Sequence, residues 1–502
     1  MLKLLAILAF VALSAHANTV YISQSGSGTD SGADASDCKP VTWFNTSGNW
    51  VGSAPTGAQI GPGTTVTLEG TITTALTAQG SGSSGSPVII LFDTGAKIQG
   101  NYTTGTGNLP AAGAINLPSV SYITINGGTN GLINITGCNT ASQQTCDGIL
   151  ITSCNNILVE YLTITGMYVA AGGGTNDAMS DNGGSGVTIS FCSNLTVDHC
   201  TISQGGAGIY VLYGPGSGSG DSNQTYSNNT ISAANWGIAG GGDGVTNTKL
   251  TNCLVFGNDI TMPGAQWDEP DDNNHHDGIY FYCDNDPDSI SGLKIYNNIV
   301  GGDFASDTTA DIFISAHQSD SHGIEGSLIY NNLCTCDDLG AGDGLIYVSC
   351  DGFLVYNNTC VYTDNSNFSI GINENTGGLG APTTGTITNN IIYNANNVSI
   401  YTNAGNGVTT LTQTDNLTTT PGFVNESAGN YNITSTAAAK GAGANEYATF
   451  TTDITGYTRA SSGAWDIGAY AYQSSAPAAP GTLSTTGYST PATPGTLTTA
   501  HQ

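Results

Sequence analysis

One phrase recurs along this chain and constrains its fold more than any other feature: an apolar-x-apolar run, a pair of Asn residues, then another apolar residue. It reads LKIYNNIV at 293–300, SLIYNNLC at 327–334, FLVYNNTC at 353–360 and GTITNNII at 385–392, with looser copies at 157–164, 195–202, 224–231 and 254–261. The first Asn falls at 228, 258, 297, 331, 357 and 389, so the spacing varies between 26 and 39 residues. A second phrase precedes most copies: DGILITSC, SGVTISFC, AGIYVLY, DGIYFYC, DIFISAH and DGLIYVSC. Two period-2 strands of constant length joined by loops of variable length describe the coils of a solenoid, in which stacked strands hold register and turns absorb insertions. The chain is therefore read as all-β, a single-stranded right-handed parallel β-helix with about three strands to a coil and a capping N-terminal region.

The Asn column has a physical reason. At a tight bend Asn tolerates the left-handed backbone conformation and passes side-chain amide hydrogen bonds up the stack. His199 falls in the same column, and its expected role is that of a hydrogen-bonding corner residue. Cys154 and Cys192 end equivalent strands, and Cys334 and Cys360 share the apolar column after the Asn pair. Adjacent coils lie about 4.8 Å apart, so each pair is either a disulfide staple or a stacked thiol ladder.

Residues 1–17 combine Lys3, an apolar run from Leu4 to Leu13 and small residues at Ala15 and Ala17, the three-part pattern of a secretory signal peptide. The expected location is secreted, extracellular or at the cell surface, and no stretch reaches the roughly 20 consecutive apolar residues of a transmembrane segment. Only 9% of residues are charged and the formal net charge is −30. Nucleic acid is excluded as a partner, because phosphate binding needs Lys/Arg clusters. Polyanionic glycans are repelled unless a cation intervenes, whereas a neutral polysaccharide meets no such barrier.

The remaining organisation follows from where the phrases stop. Residues 18–113 lack the Asn pair and read as capping strands, 114–418 as the coils, 419–473 as a closing region and 474–502 as a tail rich in Pro, Ser, Thr and Gly. The segments 419–446 and 453–473, with Arg459 followed by Asp-Ile-Gly-Ala-Tyr at 466–470, resemble the end of secreted right-handed parallel β-helix proteins of the pectate-lyase-like superfamily. That resemblance implies the architecture over roughly residues 60–473. It leaves the chemistry open among polysaccharide lyases, glycoside hydrolases, esterases and proteins without activity.

The densest polar cluster is QWDEPDDNNHHDGIYFYCDNDPD at 266–288. Asp277, Asp311 and Asp343 each open a strand of the second phrase and are expected to stack as a carboxylate column. Neighbouring carboxylates roughly 5 Å apart raise one pKa and separate into a proton donor and an ionised partner, as glycoside hydrolysis requires. The expected catalytic set is Asp277, Asp311 and His276. Trp267, Asp268, Glu269, His275, Tyr280, Tyr282 and Asp343 are the substrate-binding candidates, the two tyrosines through outward-facing rings. Asp before Gly also caps turns by bonding to local backbone, which is the structural reading of the same residues.

Asp284, Asp286 and Asp288 have D-x-D-x-D spacing, which suits Ca²⁺, although the rest of a calcium loop is missing. Three functions fit: a glycoside hydrolase, a Ca²⁺-dependent polysaccharide lyase with Lys249 or Lys294 as base, and a non-catalytic surface or adhesion protein.

Overall fold

The computed structural model describes residues 18–102, 112–136, 146–167, 184–213, 221–241, 248–263, 276–283, 288–304, 308–316, 323–338, 344–362, 370–372, 384–393, 400–402 and 410–474. Residues 1–17, expected to be a signal peptide, and the tail from residue 475 lie outside them. The strands stack into three parallel faces around one continuous apolar interior that runs from Val20 to Ile392. The first face is a 16-stranded sheet that includes Ser121–Asn126, Asn155–Glu160, Ser193–Asp198 and Asp221–Ser227. The second and third faces join into one 20-stranded sheet through two 12-residue strands, Thr201–Leu212 and Thr230–Gly241. Among the named strands, the sole antiparallel pair is Phe423–Asn425 with Asn430–Ile433, beyond the last coil.

The Asn pair performs two separate jobs. Its first member adopts the left-handed conformation, with φ of 54° at Asn228, 56° at Asn297, 54° at Asn331, 50° at Asn357 and 60° at Asn389. Its second member points inward and builds a ladder. The Nδ2 of Asn229 donates to Asn258 at 3.0 Å, and the chain continues through Asn298, Asn332, Asn358 and Asn390 to Asn416 at 2.9–3.0 Å per step. The copy at 254–261 is offset from the count made on sequence: Gly257 takes the left-handed position at φ 67° and Asn258 belongs to the ladder. The left-handed column extends downward to His199 at φ 52° and Tyr161 at φ 57°. An L residue with a bulky side chain bears roughly 1–2 kcal/mol there.

The paired cysteines are thiols, not staples. Cys334 is the register partner of Cys360, and the backbone N–H of Cys154 donates to the Cys192 sulfur at 3.2 Å. Strand spacing explains this, since in-register side chains on parallel strands keep Cβ atoms about 4.8 Å apart, beyond the roughly 3.5–4.5 Å of a disulfide.

The interior is covered at its first coil. Val41 and Phe44 of the short helix Val41–Phe44 enter the interior at the first coil, where Trp50 donates its Nε1–H to the Phe44 carbonyl at 2.7 Å. In the closing region, which packs on the outside of the later coils, Arg459, 4% exposed, donates to the carbonyls of Asp466 at 3.0 Å and Gly468 at 2.8 Å. The left-handed Asn column anchors this closing region as well: Asn331 donates to Thr452 O, Asn357 to Asp466 O and Asn389 to Ala444 O. Phe450 and Trp465 then cover the outward ring of Tyr330. No helix among the described residues is long and apolar enough to cross a membrane.

Candidate functional site

The outer surface of the third face carries a stack of aromatic rings. Register sets Tyr210 opposite Ala239, Ala239 opposite Tyr280, Tyr280 opposite Phe313 and Phe313 opposite Tyr347. The gap over Ala239 is filled from the side by Trp236, which stacks on Tyr210 with centroids 5.9 Å apart and planes 13° apart, and on Tyr280 at 6.4 Å. Tyr282 lies flat over Gly241, where any Cβ would meet its ring at 2.1 Å, and its hydroxyl reaches that of Tyr210 at 3.3 Å. These rings form a cluster separate from the interior, so the outward orientation expected of Tyr280 and Tyr282 is what the structure shows. Trp236 and Tyr210 are the partly exposed members.

The same surface continues toward the N-terminus as a polar track. Thr77, Asn116, Leu150 and Thr188 precede Tyr210 in register, roughly 4.8 Å per coil. An open cavity of ≈ 300 Å³ lies there, lined by Thr77, Asn116, Pro118, Leu150 and Thr152 among others. None of the third-face strands from Gly113–Pro118 to Gly344–Ser349 contains Lys or Arg.

Asp277 sits at the edge of the ring stack. It is the register partner of Trp236 in the coil below and of Ala310 in the coil above. Its Oδ1 accepts the Ala310 N–H at 3.0 Å, as Asp147 in the same column accepts the Ser185 N–H at 2.9 Å. The capping role of Asp is thus present at both. Asp147 is fully buried, and that burial pushes its carboxyl up to about 8 against the lowering influence of Ser185 and Thr188. His276 is 3% exposed, and its Nδ1 lies 2.6 Å from the Phe304 carbonyl. A carbonyl only accepts, so Nδ1 carries a proton and donates it to Phe304.

The expected stack of Asp277 on Asp311 does not form. With Asp277 opposite Ala310 and Ile279 opposite Ile312, Asp311 occupies the position of Gly278. That position belongs to an inward-facing small-residue column of Gly148, Gly186, Gly208, Gly237 and Gly278. A Cβ in this column would meet Ile164, Ile202, Ile231, Ile260 and Val300 of the facing strand at 2.1–2.5 Å. The facing residue shrinks to Cys334 in the next coil, the register successor of Val300, which makes room for the Asp311 side chain. Both carboxyls are 0% exposed, but Asp311 stands in the inward small-residue column, while Asp277 shares the column of Trp236. The cause is in the phrases themselves: DIFISAH lacks the Gly that follows Asp in DGIYFYC, so pairing Ile279 with Ile312 sets Asp311 opposite Gly278 and Ala310 opposite Asp277. A one-residue slip moves a side chain to the other side of a sheet.

Trp267, Asp268, Glu269, His275, Asp284, Asp286 and Asp343 lie outside the described residues, as does His317. Asp288, the one described member of the D-x-D-x-D run, is 2% exposed and accepts the Thr248 N–H at 2.6 Å. Among the described residues no three His, Cys, Asp or Glu side chains converge as metal ligands. Lys249 and Lys294 are exposed on the first face, away from Asp277 and His276. Sequence reasoning missed Tyr210, Trp236, Phe313 and Tyr347. Three of these stand at the same outward position of AGIYVLY, DIFISAH and DGLIYVSC, which was the available signal.

No family model matches the chain, and no curated protein matches it. Solved structures do. A GH136 lacto-N-biosidase from Eubacterium ramulus aligns over 80% of this chain and 68% of its own, at 14% identity and a TM-score of 0.49. PfbA, a surface adhesin of Streptococcus pneumoniae, aligns over 68% of this chain and 85% of its own, at 14% identity and a TM-score of 0.44. The pectate lyase Pel9A aligns over 91% of this chain and 96% of its own, at 12% identity and a TM-score of 0.40.

Proposed function

We propose that this protein acts outside the cell, free or at a cell surface, and binds a neutral polysaccharide along its third face. The observation that carries the reading is the pair of partly exposed outward rings Tyr210 and Trp236, backed by the buried rings of Tyr280, Tyr282, Phe313 and Tyr347. Aromatic rings offer a flat apolar face and, in Tyr and Trp, a polar edge, which suits a ligand whose own surface alternates C–H and hydroxyl groups. The track of Asn116, Leu150 and Thr188 continues the surface along the helix axis, the direction in which an extended polymer would run. With a net charge of −30 and no cation on this face, uronic acid polymers are disfavoured.

Hydrolysis of the bound glycan is the second reading, favoured by Asp277 next to Trp236. Asp277 would act as one of the two carboxylates that glycoside hydrolysis uses. Electrophoresis of the protein through gels containing neutral glucans, xylans and mannans or polygalacturonate tests the binding reading. Retardation by a neutral polymer and not by polygalacturonate is the expected result, and the reverse contradicts it. New reducing ends in the same incubations, absent from an Asp277→Asn variant, would establish hydrolysis.

A further inference from the structure

Two coils break the corner rule at a visible cost. The corner column reads Tyr161, His199, Asn228, Gly257, Asn297, Asn331, Asn357 and Asn389, all with φ between 50° and 67°. Asn and Gly hold this conformation with little strain, whereas Tyr is a poor fit to it. The strain brings no burial in return: Tyr161 is 47% exposed and the His199 side chain 48% exposed. Further up the column Asn331, Asn357 and Asn389 are covered by the closing region, while Tyr161 and His199 face solvent. Strained positions that contribute nothing to packing mark function.

Their surroundings are ordered. The Tyr161 and His199 rings lie 5.2 Å apart with planes 31° apart. His199 Nδ1 bonds Asp198 Oδ2 at 2.6 Å, and Asp198 Oδ1 accepts Ser227 Oγ–H at 2.6 Å and Asn228 Nδ2–H at 2.8 Å. Partial burial pushes the Asp198 carboxyl up, but these three bonds together hold it below the usual carboxylate range. An ionised Asp198 only accepts, so His199 donates to it from Nδ1 and leaves Nε2 for a ligand. Glu160 is the register partner of Asp198, and its Oε1 accepts the Asn126 amide at 2.6 Å.

We infer that Tyr161, His199 and Glu160 form a second carbohydrate subsite, on the corner between the first and second faces, that takes one neutral sugar unit. The sugar's C–H face lies on the open face of Tyr161, and its hydroxyls hydrogen-bond to His199 Nε2 and donate to Glu160 Oε2. No Lys or Arg stands in the flanking strands Ser121–Asn126, Asn155–Glu160, Ser193–Asp198 and Asp221–Ser227, so an anionic sugar would find no partner. The ligand class rests on the neutral-glycan reading above, but the residues are different ones.

The column supplies its own controls, because Asn is already the residue of this corner five times. Tyr161→Asn and His199→Asn in the full-length protein should leave the melting temperature unchanged or raised. Both should weaken calorimetric binding of whichever of cellohexaose, xylohexaose, mannohexaose and maltohexaose the parent protein binds, by at least tenfold. Unchanged binding overturns the inference, as does a fall in melting temperature that tracks the loss of binding, which would make both residues structural. Trp236→Ala separates the two sites. Binding lost there and kept in both corner variants overturns the corner and keeps the third face, and the opposite pattern does the reverse. A parent protein that binds none of the four overturns both.

Discussion

Asp277 is the register partner of Trp236, one coil above it on the outer side of the third face. A carboxylate is thereby set beside the partly exposed end of a six-ring stack, with one oxygen engaged by the Ala310 N–H at 3.0 Å. Asp277→Asn keeps that acceptor, so stability should change little. Asp277→Ala strands the Ala310 N–H and should cost about 1–3 kcal/mol. Chemical denaturation separates the two variants. If the protein is a hydrolase, Asp277→Asn should also reduce turnover by roughly 10²–10⁴.

Asp147 makes the protein's stability depend on pH. Burial raises its folded-state carboxyl to about 8 from an ordinary value of 3.8. The folded form therefore holds a proton that the unfolded chain releases. Its contribution is fully present below about pH 4 and is lost as pH rises toward 8, at up to about 1.4 kcal/mol per pH unit. Denaturation midpoints measured from pH 4 to 8 should fall less steeply in Asp147→Asn. Parallel slopes would contradict the assignment.

The Asn ladder should be costliest to cut in its middle. Asn332 donates to Ile295 O and Asn358 Oδ1, and its Oδ1 accepts from Asn298. Asn332→Ala orphans buried partners in two neighbouring coils and should cost about 2–5 kcal/mol. Asn416 ends the ladder and is only partly buried, so Asn416→Ala should cost less. Equal costs would mean that the ladder bonds do not act together.

Gly278 tests the small-residue column that separates Asp277 from Asp311. A Cβ at Gly278 would meet Val300 Cγ1 at 2.1 Å and the Asp311 carbonyl at 2.6 Å. Gly278→Ala should destabilise by about 1–3 kcal/mol, and shrinking the facing side chain in Gly278→Ala/Val300→Ala should recover part of the loss only if the clash is with Val300. Thermal melts of the single and double variants give the coupling.

The solenoid was legible because the Asn pair marks a backbone event, a left-handed corner followed by an inward amide, and both recur whatever the loop length. His199 was correctly placed in the corner column by that mark. Its half-exposed side chain was not legible, because the repeat gives position but not what covers it. The carboxylate column was misread for a related reason. Aligning Asp277 with Asp311 matches identical residues, yet DIFISAH lacks the Gly of DGIYFYC, so the apolar positions align one residue out of step with the Asp pair and Asp311 takes the place of Gly278. Tyr280 and Tyr282 were read outward from strand parity alone, whereas Trp236 stands just past a register irregularity in its strand, where parity restarts, and was missed.

The account rests on the third face as a glycan surface, and titration calorimetry tests it most directly. Neutral hexasaccharides should bind the parent protein with an affinity insensitive to salt, since no charge pairing is involved. The Tyr210→Ala/Trp236→Ala variant, unchanged in fold by circular dichroism, should bind at least tenfold more weakly. Undiminished binding in that variant, or binding confined to anionic oligosaccharides, would contradict the account.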